Sequence, residues 1–261
     1  MGTLAKRLGQ LTARSLESES SNIIKTGLAN KTGLSKSLDT TLRTSHDMKV
    51  FGLGTAASMA NRERYARFTT SMYAVYSSME RELDAQTSPA NCIVWNRFGD
   101  QLRRTAKLQS DLEEVGAWPV SDVSPASERY AEAIVSASRS DAELNGGRLL
   151  GHVYCRYFAD LFGGQALAGP YQWALGLEVG PTHYDFGDFG KHRRQSIETI
   201  YEALNEAGEV LGSDEARGSV VAEARRAFSL NVDVYKEEGA LVQDGIKGLA
   251  NVAVGYVGRH R

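Results

Sequence analysis

Apolar residues recur at every third or fourth position along most of this chain, and no useful stretch alternates apolar with polar residues as a half-buried strand would. That spacing places them on one face of a helix, so the chain must fold by packing helix on helix. "LSKSLDTTLRTSH" sets Leu34, Leu38, Leu42 and His46 four apart, with Ser35 expected as the N-cap after Gly33. "NRERYARFTTSMYAVYSSMERELD" opens on Asn61 as a cap and sets Tyr65, Phe68, Met72, Val75, Tyr76 and Met79 on one face. One helix is expected through "WNRFGDQLRRTAKLQSDLEEVGA", with Phe98, Leu102, Leu108, Leu112 and Val115 as its stripe. Another follows in "SPASERYAEAIVSASRSD", where Pro125 suits the first turn. Late in the chain "QSIETIYEALNEAGEVL" and "DEARGSVVAEARRAFSLNVDVYKEEGALV" read as two more, the second presenting Ala224, Ala227, Phe228, Asn231, Val234 and Tyr235 together. The expectation is an all-α single domain over residues 34–240 without internal repeats. A polar arm over 1–33 precedes it and a C-terminal tail over 241–261 follows.

The chain has 261 residues, of which 42% are apolar, enough to bury a full core. Its 30 basic and 32 acidic residues leave a formal net charge of −2 with no long single-sign run, which argues against a nucleic-acid partner. The two cysteines, Cys92 and Cys155, are too few for a disulfide framework or a cysteine metal site. They fit a reducing compartment and read as small buried hydrophobes. No apolar run reaches the ~20 residues of a membrane span, and "GLANVAVGYVGRHR" is too short and glycine-rich to make one. The arm is rich in Ser, Thr, Lys and Arg but holds Glu17 and Glu19, so a transit peptide, a docking arm for a larger assembly and a plain tail all stay open. Lys6 stands where a myristoylation signal needs Ser or Thr. Expected locations are an organelle, plastid or mitochondrion, or the cytoplasm, and not the exterior.

"GHVYCRYFADLFGGQALAG", residues 151–169, puts His152, Arg156, Asp160 and Gly164 on one polar stripe while Tyr154, Tyr157, Leu161 and Ala168 lie mostly off it. His46 and Asn231 are polar residues on otherwise apolar faces. No second histidine or carboxylate stands beside His46 at metal-ligand spacing, which disfavours zinc and di-iron sites. A single axial histidine does suit haem, whose ring supplies the other four ligands. Gly163 and Gly164 would let backbone approach a large flat ligand, or simply mark a kink or a close helix crossing.

"HVYCRYFADLFGGQALAG" resembles the signature segment of haem oxygenases, a tyrosine-rich distal helix with an aspartate and a flexible double glycine over the haem. Three more segments match in order. "LSKSLDTTLRTSH" resembles the helix ending in the proximal histidine, here His46; "SMYAVYSSMERELD" resembles the segment whose tyrosine, here Tyr76, joins the distal hydrogen-bond network. "EARRAFSLN" resembles the helix whose Phe and Asn, here Phe228 and Asn231, line that cavity. The resemblance covers residues 34 to about 240. It implies oxidative opening of haem, both cofactor and substrate, to biliverdin, carbon monoxide and ferrous iron, with no other metal expected. It implies iron ligation by His46, proton delivery through ordered water by Asp160, and placement of those waters by Tyr76, Arg156 and Asn231. Arg43, Tyr154, Gly163, Gly164 and Phe228 complete the implied haem contacts. Partners implied are an electron donor, a ferredoxin or a flavoprotein reductase. Ala159 and Phe162 depart from the glycine and serine common in the family, though plant and algal relatives share "YFA". Asp39 stands where a lysine often anchors a propionate, and Ile197 and Tyr201 replace a later basic pair, with His192, Arg193 and Arg194 close by. Those departures keep open a second reading, a haem-oxygenase fold without turnover that serves as a subunit or scaffold. Phe162 is expected to point away from the ligand and pack in the core.

Overall fold

The computed structural model describes residues 29–45 and 48–259, and the regular structure among them is helical throughout. His46 and all but the last five residues of the 1–33 arm lie outside the described residues. The helices run α1 Gly33–Ser45, α2 Met48–Ser58, α3 Arg62–Asp84, α4 Pro89–Leu102, α5 Thr105–Glu114 and α6 Pro125–Leu144. Then come α7 Leu149–Val153, α8 Ala159–Phe162, α9 Ala168–Leu175, α10 Gly187–Lys191, α11 Arg193–Val210, α12 Asp214–Glu237 and α13 Leu241–Arg259.

Local chemistry sets several of these boundaries. Asn61 Oδ1 accepts from the Arg64 N–H at 2.8 Å and opens α3, as its sequence predicts. Ser124 caps α6 ahead of Pro125 in the same way. Ser35 is not a cap. It lies within α1, where its hydroxyl donates to the carbonyls of Asn30 and Thr32 and its N–H donates to Asn205 Oδ1. The single helix expected through residues 95–117 is two, broken at Arg103, whose ψ of 132° is extended. The cause is a distant carboxylate: Glu80 Oε1 accepts from the N–H groups of Arg104 at 2.6 Å and Thr105 at 3.0 Å, capping α5 from α3. Helix α12, expected to run on to Val242, likewise stops at Glu237, because Gly239 and Ala240 adopt positive φ.

The main core gathers the predicted stripes: Leu34 and Leu38 of α1, Phe68 to Met79 of α3, and Ala224 to Tyr235 of α12 are all buried in it. A second cluster, Met59, Tyr65, Tyr171, Leu175, Leu177 and Tyr184, fills the space between the start of α3 and α9. The stretch set apart as a tail forms α13, which packs on α2 and α9. Its inward face is glycine. A Cβ on Gly248 would lie 1.8 Å from the Ala56 carbonyl oxygen, and one on Gly255 would lie 2.0 Å from that of Trp173, so backbone meets backbone. Val242, Ile246, Val254 and Val257 of the same helix face outward.

Candidate functional site

The 151–169 stretch is not one continuous α-helix. It runs as α7, a π turn over Tyr154–Phe158, α8, and a 3-10 turn over Gly164–Leu167. A π turn carries more residues per revolution than an α-turn, and such turns concentrate at functional sites. Its side chains leave on two faces. One holds Tyr154, Phe158 and Phe162 as an aromatic ladder with centroid spacings of 5.0 and 5.4 Å, and Phe158 also meets Tyr201 of α11. Phe162 is thus packed in the core, as expected for it.

The other face is polar and buried. Arg156 Nη1 donates to Asn231 Oδ1 of α12 at 2.8 Å, and Arg156 Nη2 stands 3.7 Å from Asp160 Oδ1. The Tyr76 hydroxyl of α3 donates to Asp160 Oδ2, and the Arg156 guanidinium lies 5.4 Å from the Tyr76 ring centroid. None of the four residues is more than 4% exposed. Burial alone would push Arg156 toward losing its charge. Tyr76 and Asp160 beside it outweigh that and hold its pKa above the ordinary value. The Tyr76 phenol is pushed well up by burial and by Asp160, so it stays a proton donor to the carboxylate. Arg156 Nε is buried without a partner.

Two residues before the π segment, His152 Nε2 lies 3.1 Å from Glu223 Oε1 of α12, with Arg148 and Arg226 around the same carboxylate. Glu223 is held below the ordinary range because His152 and these arginines outweigh the burial that opposes its charge. Sequence reasoning passed over Glu223, although its place three residues after Val220, on the buried face of α12, marks an acid where an apolar residue would be ordinary. It also passed over Asp111, whose Oδ2 lies 2.6 Å from His183 Nδ1 while Oδ1 accepts from Thr182.

The remaining expected residues are dispersed. Arg43 is half-exposed on α1 and is tied to Asp39, not to the Arg156 group. Asp39 is 1% exposed; it pairs with Lys31 and Arg43 and accepts from the Tyr201 hydroxyl at 3.4 Å. Phe228 is buried in the core one turn before Asn231. The two glycines differ. A Cβ on Gly163 would meet only the Ala159 carbonyl oxygen, at 3.7 Å, whereas one on Gly164 would strike the Tyr184 ring at 2.7 Å. Ile197 is buried, and Arg193 Nη1 donates to the Phe162 carbonyl at 3.0 Å. Arg193 also lines, with Gln165, Lys191, His192 and Arg194, an open basin of about 730 Å³.

The same segments organise known proteins. The sequence model of the heme oxygenase family matches residues 33–237, from the start of α1 to the end of α12. Heme oxygenase 1 of Nostoc sp. is 33% identical over 193 residues, covering 71% of this chain and 76% of that protein. Heme oxygenase 2 of Synechocystis sp. is 31% identical over 196 residues, 72% of this chain and 74% of its own length. Among solved structures, heme oxygenase-2 from Synechocystis sp. in complex with heme and NO superposes with a TM-score of 0.69 at 25% identity, over 86% of this chain and 93% of that one. With the family match running through every element that carries Tyr76, Arg156, Asp160 and Asn231, this chain belongs to the heme oxygenase family.

Proposed function

We propose that the protein is a haem oxygenase that binds haem against the α7–α8 segment and opens it to biliverdin, carbon monoxide and ferrous iron, consuming dioxygen and reducing equivalents. The observation that carries this is the buried Tyr76–Asp160–Arg156–Asn231 group in a member of that family. When bound, haem supplies the iron that activates dioxygen and the meso carbon that is oxidised. Two features support the fit of such a ligand: the direction a Gly163 side chain would take is open, and the partnerless Arg156 Nε suits an ordered water.

His46, which follows α1 in the sequence and continues its Leu34, Leu38, Leu42 spacing, would hold the iron. Asp160 would hold and release protons at Oδ1, the oxygen left free by the Tyr76 hydroxyl on Oδ2. Arg156 would fix the waters between, with Asn231 holding one arm of its guanidinium. Gly163 and Gly164 would flex to admit haem and release the larger open product. Arg43, released from Asp39, and the cations of the Arg193 basin would receive the propionates. The electron donor would be a ferredoxin or a flavoprotein reductase. A reducing compartment, plastid, mitochondrion or cytoplasm, suits Cys155, whose thiol is pushed up to about 12 by burial and stays protonated. No described helix is long and apolar enough to cross a membrane.

A scaffold without turnover is the second reading, favoured by the buried Asp39 carboxylate, which already claims Lys31 and Arg43. Purified protein mixed with hemin decides between them. The enzyme reading expects a one-to-one complex with a histidine-type Soret band that decays to biliverdin absorbance when electrons are supplied. A free-hemin spectrum, or a stable complex under reduction, favours the scaffold.

A further inference from the structure

A set of three rings leads away from Asp160 toward the surface, and every member can be oxidised. The Tyr76 and Tyr157 rings meet edge to face with centroids 5.0 Å apart, and Tyr157 meets the Trp95 indole of α4 at 5.9 Å. Both spacings fall within the roughly 4.5–7 Å of aromatic rings in contact. The ladder on the opposite face differs, since it continues from Tyr154 into two phenylalanines, which resist oxidation. The other two tryptophans pair elsewhere, Trp118 with Tyr73 and Trp173 with Tyr256.

Each ring of the set also has a carboxylate on its acidic hydrogen. The Tyr76 hydroxyl donates to Asp160 Oδ2, the Tyr157 hydroxyl to Glu80 Oε1 at 3.4 Å, and Trp95 Nε1 to Asp84 Oδ1 at 2.7 Å. An oxidised phenol or indole is a strong acid, and a cation left on a buried ring is costly. A proton acceptor in place is therefore what oxidation at these positions requires. Tyr76 and Tyr157 are fully buried and Trp95 is 6% exposed, whereas Arg103 and Asp84 beyond it are 41% and 46% exposed. Arg103 donates to Asp84, and its guanidinium stands 5.1 Å from the Trp95 ring centroid. That charge disfavours a cation on the indole and favours passage of its proton to Asp84 when an electron leaves. The set thus joins the Asp160 face to solvent.

We propose that Tyr76, Tyr157 and Trp95 form an electron route from the Asp160 face to the Asp84–Arg103 surface, through which an anionic phenol or enediol donor in solution reduces hydrogen peroxide that has not oxidised the haem ring. Reduction of peroxide to two waters takes two electrons and two protons. For each electron, Tyr76 gives one inward and lends its proton to Asp160, then recovers both as Tyr157 gives an electron and lends its proton to Glu80. Trp95 refills Tyr157 in the same way, with its indole proton held at Asp84. The donor at the surface then loses one electron and one proton, the proton going to solvent, and Trp95 recovers its own. Two donors are oxidised for each peroxide. The direction of flow rests on the reading proposed above, yet the path is measurable in protein without haem.

The test reads the path in reverse. With Trp118→Phe and Trp173→Phe as background, Trp95 is the sole tryptophan, and azidyl radicals made by pulse radiolysis take an electron from it. The indolyl absorption is expected to decay into that of phenoxyl at a rate independent of protein concentration. Tyr157→Phe keeps the ring and its packing and is expected to slow that step at least tenfold. An unchanged rate, or no indolyl signal from Trp95, overturns the route. The second measurement gives hemin-loaded protein hydrogen peroxide and a bulky sulfonated naphthol azo dye, too large to enter the site. Trp95→Phe is expected to oxidise the dye at least fivefold more slowly, with biliverdin formation under reductant unchanged. A wild-type rate of dye oxidation, or an equal loss of biliverdin formation, refutes the drain. Transfer through Tyr157 in a protein that binds no hemin establishes the ring path and overturns the function.

Discussion

Gly163 and Gly164 are neighbours with opposite tolerance for a methyl group, and that contrast separates folding from ligand contact. An alanine Cβ at 164 would lie 2.7 and 2.9 Å from two Tyr184 ring carbons, about 1 Å inside the usual carbon–carbon contact. The ring cannot withdraw, because His183 lies 3.9 Å and Tyr171 5.9 Å away by ring centroids. Gly164→Ala should therefore cost about 1–3 kcal/mol as an overpacking change, or roughly 2–4 °C of Tm for each kcal/mol in a chain of this size. At 163 the nearest atom would be 3.7 Å away, and φ is −132°, a value that L residues adopt. Gly163→Ala should leave the ligand-free protein within about 1 kcal/mol of wild type, since reduced freedom of the unfolded chain offsets small local costs. If haem lies across that open direction, the same methyl should weaken hemin binding about 5- to 150-fold, the equivalent of ~1–3 kcal/mol. Urea unfolding of ligand-free protein and Soret titration with hemin measure the two quantities separately. Equal destabilisation by both variants would refute the packing argument. Wild-type hemin affinity in Gly163→Ala would remove Gly163 from the ligand face.

Asp160→Ala, with reductant present, should lower biliverdin formation by about 10²–10⁴-fold, the range for a lost general acid, while peroxide-driven oxidation of a phenolic dye rises; equal biliverdin yield would remove Asp160 from the chemistry. His46→Ala should abolish the histidine-type Soret band, with exogenous imidazole restoring it. Phe162→Ser should destabilise the protein by about 3 kcal/mol or more, since the ring is packed on Phe158, without raising hemin affinity; tighter binding would mean that the ring occupies ligand space. Asp111 is held below the ordinary carboxylate range because hydrogen bonds from His183 and Thr182 outweigh its burial. The stability it contributes is thus present above about pH 4 and is lost as pH falls through its depressed folded value. Asp111→Asn should cost about 3 kcal/mol at neutral pH and flatten the acid limb of a Tm-versus-pH curve.

Local signals carried most of the fold. Asn61, whose partner lies three residues away, and Pro125 in a first turn could be read as helix starts. Spacing alone puts Arg156 in register with Asp160, whereas their grouping with Tyr76 and Asn231 is legible only through the resemblance of the segments that carry them. What escaped depends on distance or on pattern inversion. The break at Arg103 is made by Glu80, which accepts from Arg104 24 residues downstream, and nothing in "FGDQLRRTAKL" announces it. The partner of His152 is 71 residues downstream. Helix α13 inverts the usual amphipathic pattern, burying glycines and exposing valines, so a search for an apolar face finds the wrong side.

The π turn between Tyr154 and Phe158 makes residue count, and not only residue type, a determinant of the site. Each residue of an α-helix advances the chain by about 100° around its axis, and a π turn absorbs an extra one without breaking the rod. Shortening that turn by one position would keep every element of α7 and α8 helical. It would also swing Asp160 about a quarter-turn off Tyr76 relative to His152. A relative that keeps both the histidine and the aspartate but spaces them by one residue fewer would therefore hold the same letters in a different arrangement. In this part of the chain a gap in an alignment carries as much chemical meaning as a substitution.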